Sequence, residues 1–128
     1  MRIVGHGVDV QNMRRVGPRL ADPDNDWIDA TFTEAEQAGA DASPNTEQYY
    51  AGRYAVKEAV AKALGTGFSD EVCWLDVEVR RKASGAPEVY LSGGAAEVAK
   101  SLGVTAWLVS FSHSGEYAVA SVIATSDV

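Results

Sequence analysis

Arg53, Lys57, Glu58 and Lys62 are the charged residues of one alanine-rich stretch, residues 48–67. In a helix of about 100° per residue, Glu58 and Lys62 fall on the side away from the apolar residues, and Arg53 and Lys57 flank them. A mainly positive cluster of this kind is unusual in a protein whose net charge is −7. The spacing therefore predicts a local site for an anionic ligand, with the carboxylate of Glu58 available to a metal ion as well.

A surface ion pair is the alternative interpretation of two of these charges. Glu58 and Lys62 stand four residues apart with the acid first, which is the favourable order for an exposed helical pair worth about 0.2–0.5 kcal/mol. Exposed pairs contribute little to stability and need no functional role. The spacing alone leaves both interpretations open.

The element that must position the cluster is a helix of about four turns, because the stretch is rich in alanine and ends at Gly65. Small and apolar residues recur in it at three- and four-residue steps and predict one buried stripe. The residues of this stripe are Tyr49, Gly52, Val56, Ala59, Val60 and Ala63. The glycine turn that starts at Gly65 either caps the helix or wraps a ligand.

Residues 3–10 alternate as a β-strand with two unlike faces. The two faces are Val4, His6, Val8 and Val10 on one side and Gly5, Gly7 and Asp9 on the other. The glycines leave room beside Asp9 for another backbone or a ligand. Asp9 either faces that room or caps the next element. His6, on the apolar face, is expected to be buried and hydrogen-bonded.

The rest of the chain predicts an α+β fold in which a mostly antiparallel sheet packs on the long central helix. One helix is expected at residues 11–20, with Asn12 as its N-cap. A second should begin at Thr33, because Thr33 and Glu36 have the spacing of a capping box, and a third is expected at residues 92–102. Residues 21–29 indicate a loop. Strands are expected at residues 74–81, 88–91, 105–111 and 116–124, with a hairpin turn at 112–115.

Composition limits the class of protein. A chain of 128 residues, 46% of them hydrophobic, is typical of a single globular domain, here residues 1–128. No apolar run reaches membrane-spanning length, and no signal peptide is evident. The single cysteine, Cys73, is expected to be a packed thiol, and its lack of a disulfide partner fits a reducing cytoplasm. The net charge of −7 argues against nucleic acid as a partner.

Three blocks of the sequence together resemble the holo-acyl-carrier-protein synthases, the small 4′-phosphopantetheinyl transferases. The blocks are Gly7-Val-Asp9, the run from Ala51 to Gly67, and Ser110-Phe-Ser-His113. Phe32, Thr33 and Glu36 also look like the family's short second helix. The match spans nearly the whole chain in the right order, and the middle block is long enough to be specific.

The resemblance implies Mg²⁺-dependent transfer of phosphopantetheine from coenzyme A to a serine of apo acyl carrier protein, with release of adenosine 3′,5′-bisphosphate. Asp9 and Glu58 would be the magnesium ligands and Lys62 the contact to the diphosphate, which suits oxygen-ligated Mg²⁺ and a point-charge lysine. The serine needs a base, for which Glu58, directly or through a metal-bound water, is favoured over Asp9.

The resemblance also implies coenzyme contacts outside this group. Ser112 and His113 would lie near the 3′-phosphate, with Arg53 and the glycine turn at Gly65 as further contacts. The family often has Gly-Lys-Pro in this turn, whereas this chain has Gly85-Ala86-Pro87. The turn is still expected to contact coenzyme A, but it lacks the positive charge of the family's lysine unless Lys82 supplies it. Gln11 stands where the larger transferases carry another acid, and would be a weak ligand.

The family builds its sites between the protomers of a trimer, which the resemblance implies here as well. Arg14 and Arg15 are then expected to dock the acidic helix of a carrier protein. An inactive coenzyme A-binding trimer is the alternative, against which the presence of Asp9, Glu58 and Lys62 argues. An unrelated magnesium phosphotransferase or nuclease would need a basic track that the acidic composition does not offer.

Overall fold

The computed structural model describes residues 1–69 and 71–127 and has the predicted α+β architecture. Its strands are β1 (Arg2–Asn12), β2 (Val77–Arg81), β3 (Pro87–Leu91), β4 (Ala106–Ser114) and β5 (Tyr117–Ser126). Its helices are α1 (Val16–Ala21), α2 (Trp27–Thr31), α3 (Glu34–Asp41), α4 (Thr46–Leu64) and α5 (Gly93–Ser101). Among the described residues, no helix is both long and apolar enough to cross a membrane.

The strands form two antiparallel sheets. The larger has the order β1-β5-β4, and β2 and β3 form a separate two-stranded ribbon. Strand β4 runs as far as Ser114, which pairs with Tyr117, so the turn of the last hairpin lies at residues 115–116. The predicted turn at 112–115 began too early, because Ser112 and His113 continue the strand opposite Val119 and Ala118.

Helix α4 packs on the glycine face of β1. A Cβ atom on Gly7 would lie 1.8 Å from the carbonyl oxygen of Ala59, so the helix and strand backbones touch directly. This close approach makes the glycine face the inner one and turns His6, Val8 and Val10 outward. The prediction of a buried His6 is therefore wrong, because contact with the helix needs the face without side chains.

The central helix is longer and more deeply buried than its sequence pattern predicts. It spans 19 residues, begins where the Asn45 side chain accepts a hydrogen bond from the amide of Gln48, and ends at Gly65 in the left-handed conformation. Its core contacts extend around most of its circumference. Arg53 and Lys57, expected on the exposed flanks, are 6% and 0% exposed.

Lys57 forms a fully buried ion pair with Glu36, at 2.9 Å between Nζ and Oε1. The ammonium also donates to the carbonyl oxygens of Trp74 and Val77. The capping box of α3 is present as predicted, but Glu36 does more than cap, since its second oxygen accepts from the amide of Val79 at 3.0 Å. The pair thus joins α3, α4 and β2, and its complete hydrogen bonding offsets the cost of burying two charges.

Four local predictions need correction. Asn12 caps a 3₁₀ turn at Met13–Arg15, followed by the short α1, and not one continuous helix over residues 11–20. Helix α2 occupies part of the predicted loop. Residues Trp74–Asp76 also form a 3₁₀ turn, so strand β2 begins only at Val77. The thiol of Cys73, at the start of this turn, is exposed where packing was expected.

Candidate active site

Asp9, Glu58 and Lys62 lie where strand β1 crosses helix α4, and we call this group the acidic half-site. The ammonium of Lys62 lies 3.1 Å from Oδ1 of Asp9 and donates to the carbonyl oxygen of Val8 at 3.0 Å. The side-chain amide of Gln11 donates to Oδ2 of Asp9 at 2.6 Å. Asp9 therefore accepts a hydrogen bond at each oxygen, and Lys62 forms its ion pair with Asp9, whereas the spacing in the sequence suggested Glu58 as its partner.

Glu58 lies half-buried beside this pair, one helical turn after Tyr54 on α4, where the Tyr54 hydroxyl can donate to its carboxylate. Burial raises the pKa of the Glu58 carboxyl, and the charge of Asp9 raises it further, while the Tyr54 hydrogen bond and Lys62 lower it. Burial, with the carboxylate of Glu58 nearby, raises the pKa of Tyr54 to about 12. A raised pKa makes the Glu58 carboxylate a better proton acceptor, as a general base should be.

An aromatic stack forms one wall of the acidic half-site. The ring of Tyr54 stacks on Trp74 at 4.9 Å between centroids, and Trp74 stacks in turn on Phe68 at 3.6 Å. Trp27 meets Tyr54 edge-on at 5.2 Å. The stack fixes the ring of Tyr54 one helical turn before Glu58.

The donor atoms of this half-site suit a hard divalent cation. Asp9 and Glu58 are close enough for the charge of one to act on the pKa of the other, and both offer oxygen atoms. Within the described residues, no cluster of three or more acidic, histidine or cysteine side chains could hold a metal ion. Two carboxylates completed by waters and substrate phosphates are, however, the usual protein environment of Mg²⁺.

A cavity of about 530 Å³ opens on another side of α4, and we call it the cationic cavity. Its charged and polar lining includes Arg53, Arg80, Arg81, Ser112 and His113, and among the described residues no carboxylate lines it. Asp9, Glu58 and Lys62 are not part of this lining. Arg53 and Glu58 are five residues apart on one helix, which places them about 140° apart around its axis.

Arg53 is the most buried cation of the cavity. Its guanidinium lies 3.5 Å from the ring centroid of Tyr49, and its Nε atom is buried without a hydrogen-bond partner. Burial lowers the pKa of Arg53, and the positive charge of Arg81 acts in the same direction. An anion bound here would relieve both effects. The cavity therefore has the electrostatics of an anion site, as the sequence predicts for Arg53.

The remaining predicted contacts lie outside both groups. Gly65, at φ 78°, ends α4 and donates to the carbonyl oxygen of Lys62. Gly85, at φ 90°, shapes the turn before Pro87, and its carbonyl oxygen accepts from Arg81 at 2.6 Å. Arg14 and Arg15 are exposed on the 3₁₀ turn after β1, and Arg14 pairs with Glu116.

Sequence reasoning missed two kinds of site residue. Tyr54 was overlooked although it stands four residues before Glu58, a spacing that makes side chains neighbours on a helix. Arg80 and Arg81 are the last two residues of strand β2. They reach the cavity only because this strand packs beside α4 and β4. Gln11 was expected as a weak ligand, whereas its amide nitrogen donates to Asp9.

Comparison with known proteins gives a consistent result. The sequence profile of the 4′-phosphopantetheinyl transferase superfamily matches residues 5–122. The chain is 43% identical to the holo-[acyl-carrier-protein] synthase of Desulforudis audaxviator, over 95% of this chain and 92% of that protein. It is 40% identical to the corresponding enzyme of Chlamydia pneumoniae, over 97% and 98% of the two chains.

Solved structures show the same likeness. A holo-(acyl-carrier-protein) synthase from Bacillus anthracis, in complex with CoA (3′,5′-ADP), superposes with a TM-score of 0.82 at 33% identity, covering 99% of this chain and all of that one. The synthase of Neisseria meningitidis superposes with a TM-score of 0.87 at 25% identity, covering 96% and 98% of the two chains.

Proposed function

Since the chain belongs to the 4′-phosphopantetheinyl transferase superfamily, we propose that it is a holo-[acyl-carrier-protein] synthase working as a single domain. It transfers 4′-phosphopantetheine from coenzyme A to a serine of apo acyl carrier protein and releases adenosine 3′,5′-bisphosphate. The observation that carries the proposal is the contact of 3.1 Å between Lys62 and Asp9, beside Glu58. This arrangement offers two metal ligands and a cation for a diphosphate.

The reaction is a phosphoryl-type transfer. The serine oxygen bonds to the phosphorus that carries pantetheine, and the bond from this phosphorus to the bridging oxygen of the leaving group breaks. Glu58 accepts the serine proton as the general base. Lys62 holds the diphosphate and offsets the charge that develops on the leaving group.

Asp9 and Glu58 would hold Mg²⁺, which would supply a positive charge at the diphosphate when bound. Asp9 is the less suitable base, because Lys62 and Gln11 already donate to its two oxygens. Its role is to hold the cation beside Lys62.

The cationic cavity binds the nucleotide end of coenzyme A. Arg53, with its unpartnered Nε atom, and Arg81 supply charge for phosphate oxygens. Ser112 and His113, side by side on β4, line the cavity and can contact the 3′-phosphate. Gly65 and the Gly85–Pro87 turn remain predicted contacts, although neither lines this cavity.

The two polar regions lie on different sides of α4, so one copy of the chain does not join them into one site. We therefore propose a trimer in which the acidic half-site of one copy meets the cationic cavity of the next. An exposed apolar sheet face supports association, because large apolar patches on a surface mark interfaces. The exposed residues of this face are Ile3, Val8, Val10, Leu108, Tyr117 and Val119.

Arg14 and Arg15 are proposed to bind the carrier protein, because they stand exposed on the element that directly follows the strand of Asp9. Changing Arg14 to Glu should raise the KM for the carrier protein about tenfold or more, since the like charges would repel. The KM for coenzyme A should stay the same. Equal losses for both substrates would contradict the assignment.

A cytoplasmic location also stays a prediction.

The function is tested by the intact mass of an apo acyl carrier protein after incubation with this protein, coenzyme A and Mg²⁺. We expect a gain of one phosphopantetheine group that requires Mg²⁺ and is lost with Glu58→Gln. If several carrier proteins gain no mass while coenzyme A still binds, the chain is an inactive coenzyme A-binding protein instead.

A further inference from the structure

We infer that Tyr54 and Gln11 are positioning residues of the acidic half-site, which hold the carboxylates of Glu58 and Asp9 in place for a divalent cation. The inference rests on the proposed function, because it takes these two carboxylates as the metal ligands. Neither residue needs to touch the cation, since each acts through the carboxylate beside it.

Tyr54 is itself held rigidly. Its ring lies between Trp74, stacked at 4.9 Å with an interplanar angle of 23°, and Trp27, which meets it at 5.2 Å and 63°. These partners come from two different parts of the chain, the 3₁₀ turn before β2 and helix α2. Because the ring is clamped on two sides, its hydroxyl has a fixed position, from which it can donate to Glu58 one turn later on α4 and hold that carboxylate.

Gln11 orients Asp9 in a similar way. Residues two apart on a strand share a face, and the Gln11 amide donates to Oδ2 of Asp9 at 2.6 Å. The amide must present its nitrogen, because an ionised carboxylate has only acceptors. Lys62 donates to the other oxygen at 3.1 Å, so the carboxylate plane is fixed at both ends. Each oxygen keeps a further lone pair that a cation can use.

The size of the expected effect follows from the general behaviour of groups that orient metal ligands. Losing such a partner typically weakens metal affinity or activity about 10- to 100-fold, although the ligands themselves remain. Substitution of Tyr54 by Phe keeps the ring stack and removes only the hydroxyl. Substitution of Gln11 by Leu keeps similar bulk and removes only the amide.

The test measures Mn²⁺ binding by electron paramagnetic resonance, with coenzyme A saturating, for Tyr54→Phe and Gln11→Leu. Matched controls are Tyr90→Phe, which removes a Tyr90–Glu88 hydrogen bond of 3.2 Å, and Gln37→Leu, which removes a Gln37–Asp29 bond of 3.2 Å. We expect Mn²⁺ binding about 10- to 100-fold weaker in the two site variants and unchanged in the controls. The KM for coenzyme A at saturating Mg²⁺ should not change.

Each other outcome overturns a defined part of the inference. Unchanged Mn²⁺ affinity in one site variant removes the role of that residue, and in both variants it overturns the inference while leaving the proposed function intact. Equal weakening in the matched control indicates a general loss of stability and also overturns it. If the unmodified protein binds no Mn²⁺, the metal assignment of the proposed function fails together with this inference.

Discussion

The two polar regions beside helix α4, the acidic half-site and the cationic cavity, carry opposite charges and suit different ligands. The acidic half-site places two carboxylates around one lysine, whereas the cationic cavity gathers arginines and a histidine without a carboxylate in its described lining. The first suits a metal cation and the second suits phosphate groups. Coenzyme A carries a diphosphate and a 3′-phosphate, so neither region alone matches the whole substrate complex. The proposed function therefore requires both regions in the complete site.

A second difference lies in how the lysines of α4 are used. Lys57 is fully buried and pairs with a fully buried Glu36, whereas the Lys62 side chain is 52% exposed and pairs with a largely buried Asp9. The two lysines are five residues apart, which turns them to different sides of the helix. The buried pair holds the scaffold that both polar regions share, and the exposed pair is free to meet a ligand.

The largest expected effect is on stability. Lys57→Met should lower the free energy of unfolding by about 3–5 kcal/mol, because it leaves the Glu36 carboxylate buried without a counter-ion. Urea unfolding measures this loss. The double variant Lys57→Met/Glu36→Leu should recover most of it, since an apolar pair can replace a buried ion pair. No difference between the single and double variants would contradict a coupled pair.

Lys62→Met should show the reverse pattern. We expect transfer activity to fall about 10²- to 10³-fold, because a group that stabilises developing charge is lost. The free energy of unfolding should change by less than about 1 kcal/mol, since the pair with Asp9 is half-exposed. Urea unfolding and initial rates of carrier-protein modification check both values. A stability loss as large as that of Lys57→Met would remove the distinction between the two lysines.

His113→Ala tests the assignment of the cationic cavity to the 3′-phosphate. The kcat/KM for coenzyme A should fall about tenfold or more, the value of a lost hydrogen bond to a charged group. With dephospho-coenzyme A, which lacks this phosphate, the variant and the unmodified protein should react at equal rates. The same fold loss with both substrates would place the 3′-phosphate elsewhere.

The smallest effect is expected at the edge of the cavity, in strand β2. The hydroxyl of Thr33 donates to Glu78 at 2.6 Å and, together with Arg80, lowers the pKa of the Glu78 carboxyl. An acid with a lowered pKa stabilises the fold above its unfolded pKa of about 4.3 and loses this effect as the pH falls through the folded value.

Glu78→Gln should therefore reduce stability slightly at pH 7, by less than about 1 kcal/mol, because the ion-pair partner Arg80 is half-exposed and its charge is screened by solvent. The difference from the unmodified protein should vanish in acid, below the lowered pKa of Glu78. Urea unfolding at several pH values measures it. A difference that grows as the pH falls would contradict the stated direction of the pKa shift.

Local patterns predicted much of the fold because they depend on neighbouring residues. The alternation of residues 3–10, the capping box at Thr33 and the stop at Gly65 all match the structure. The room that the glycines of β1 leave was predicted correctly and admits the helix backbone, whereas His6 was wrongly expected to be buried, because apolar residues usually face the core. Lys57 was misplaced because its burial depends on Glu36, a partner on another helix that spacing does not reveal.

The site was predicted unevenly for the same reason. Asp9 and Lys62 are distant in sequence, so their spacing could not predict that they share a site. The resemblance to a known family predicted it, and in the structure Nζ of Lys62 lies 3.1 Å from Oδ1 of Asp9. Arg81 joins the cavity only through packing of β2, which no local pattern encodes. The catalytic and coenzyme-binding roles of these residues stay predictions.

The most direct test of the account is complementation between two damaged chains, Glu58→Gln in the acidic half-site and His113→Asp in the cationic cavity. Mixed oligomers are purified through a different tag on each chain, and their transfer rate is compared with those of the two parent variants. If the site is shared between copies, one interface in the mixed oligomer has both regions intact, and activity should rise well above the mean of the parents. A rate equal to that mean would contradict a site built from two copies.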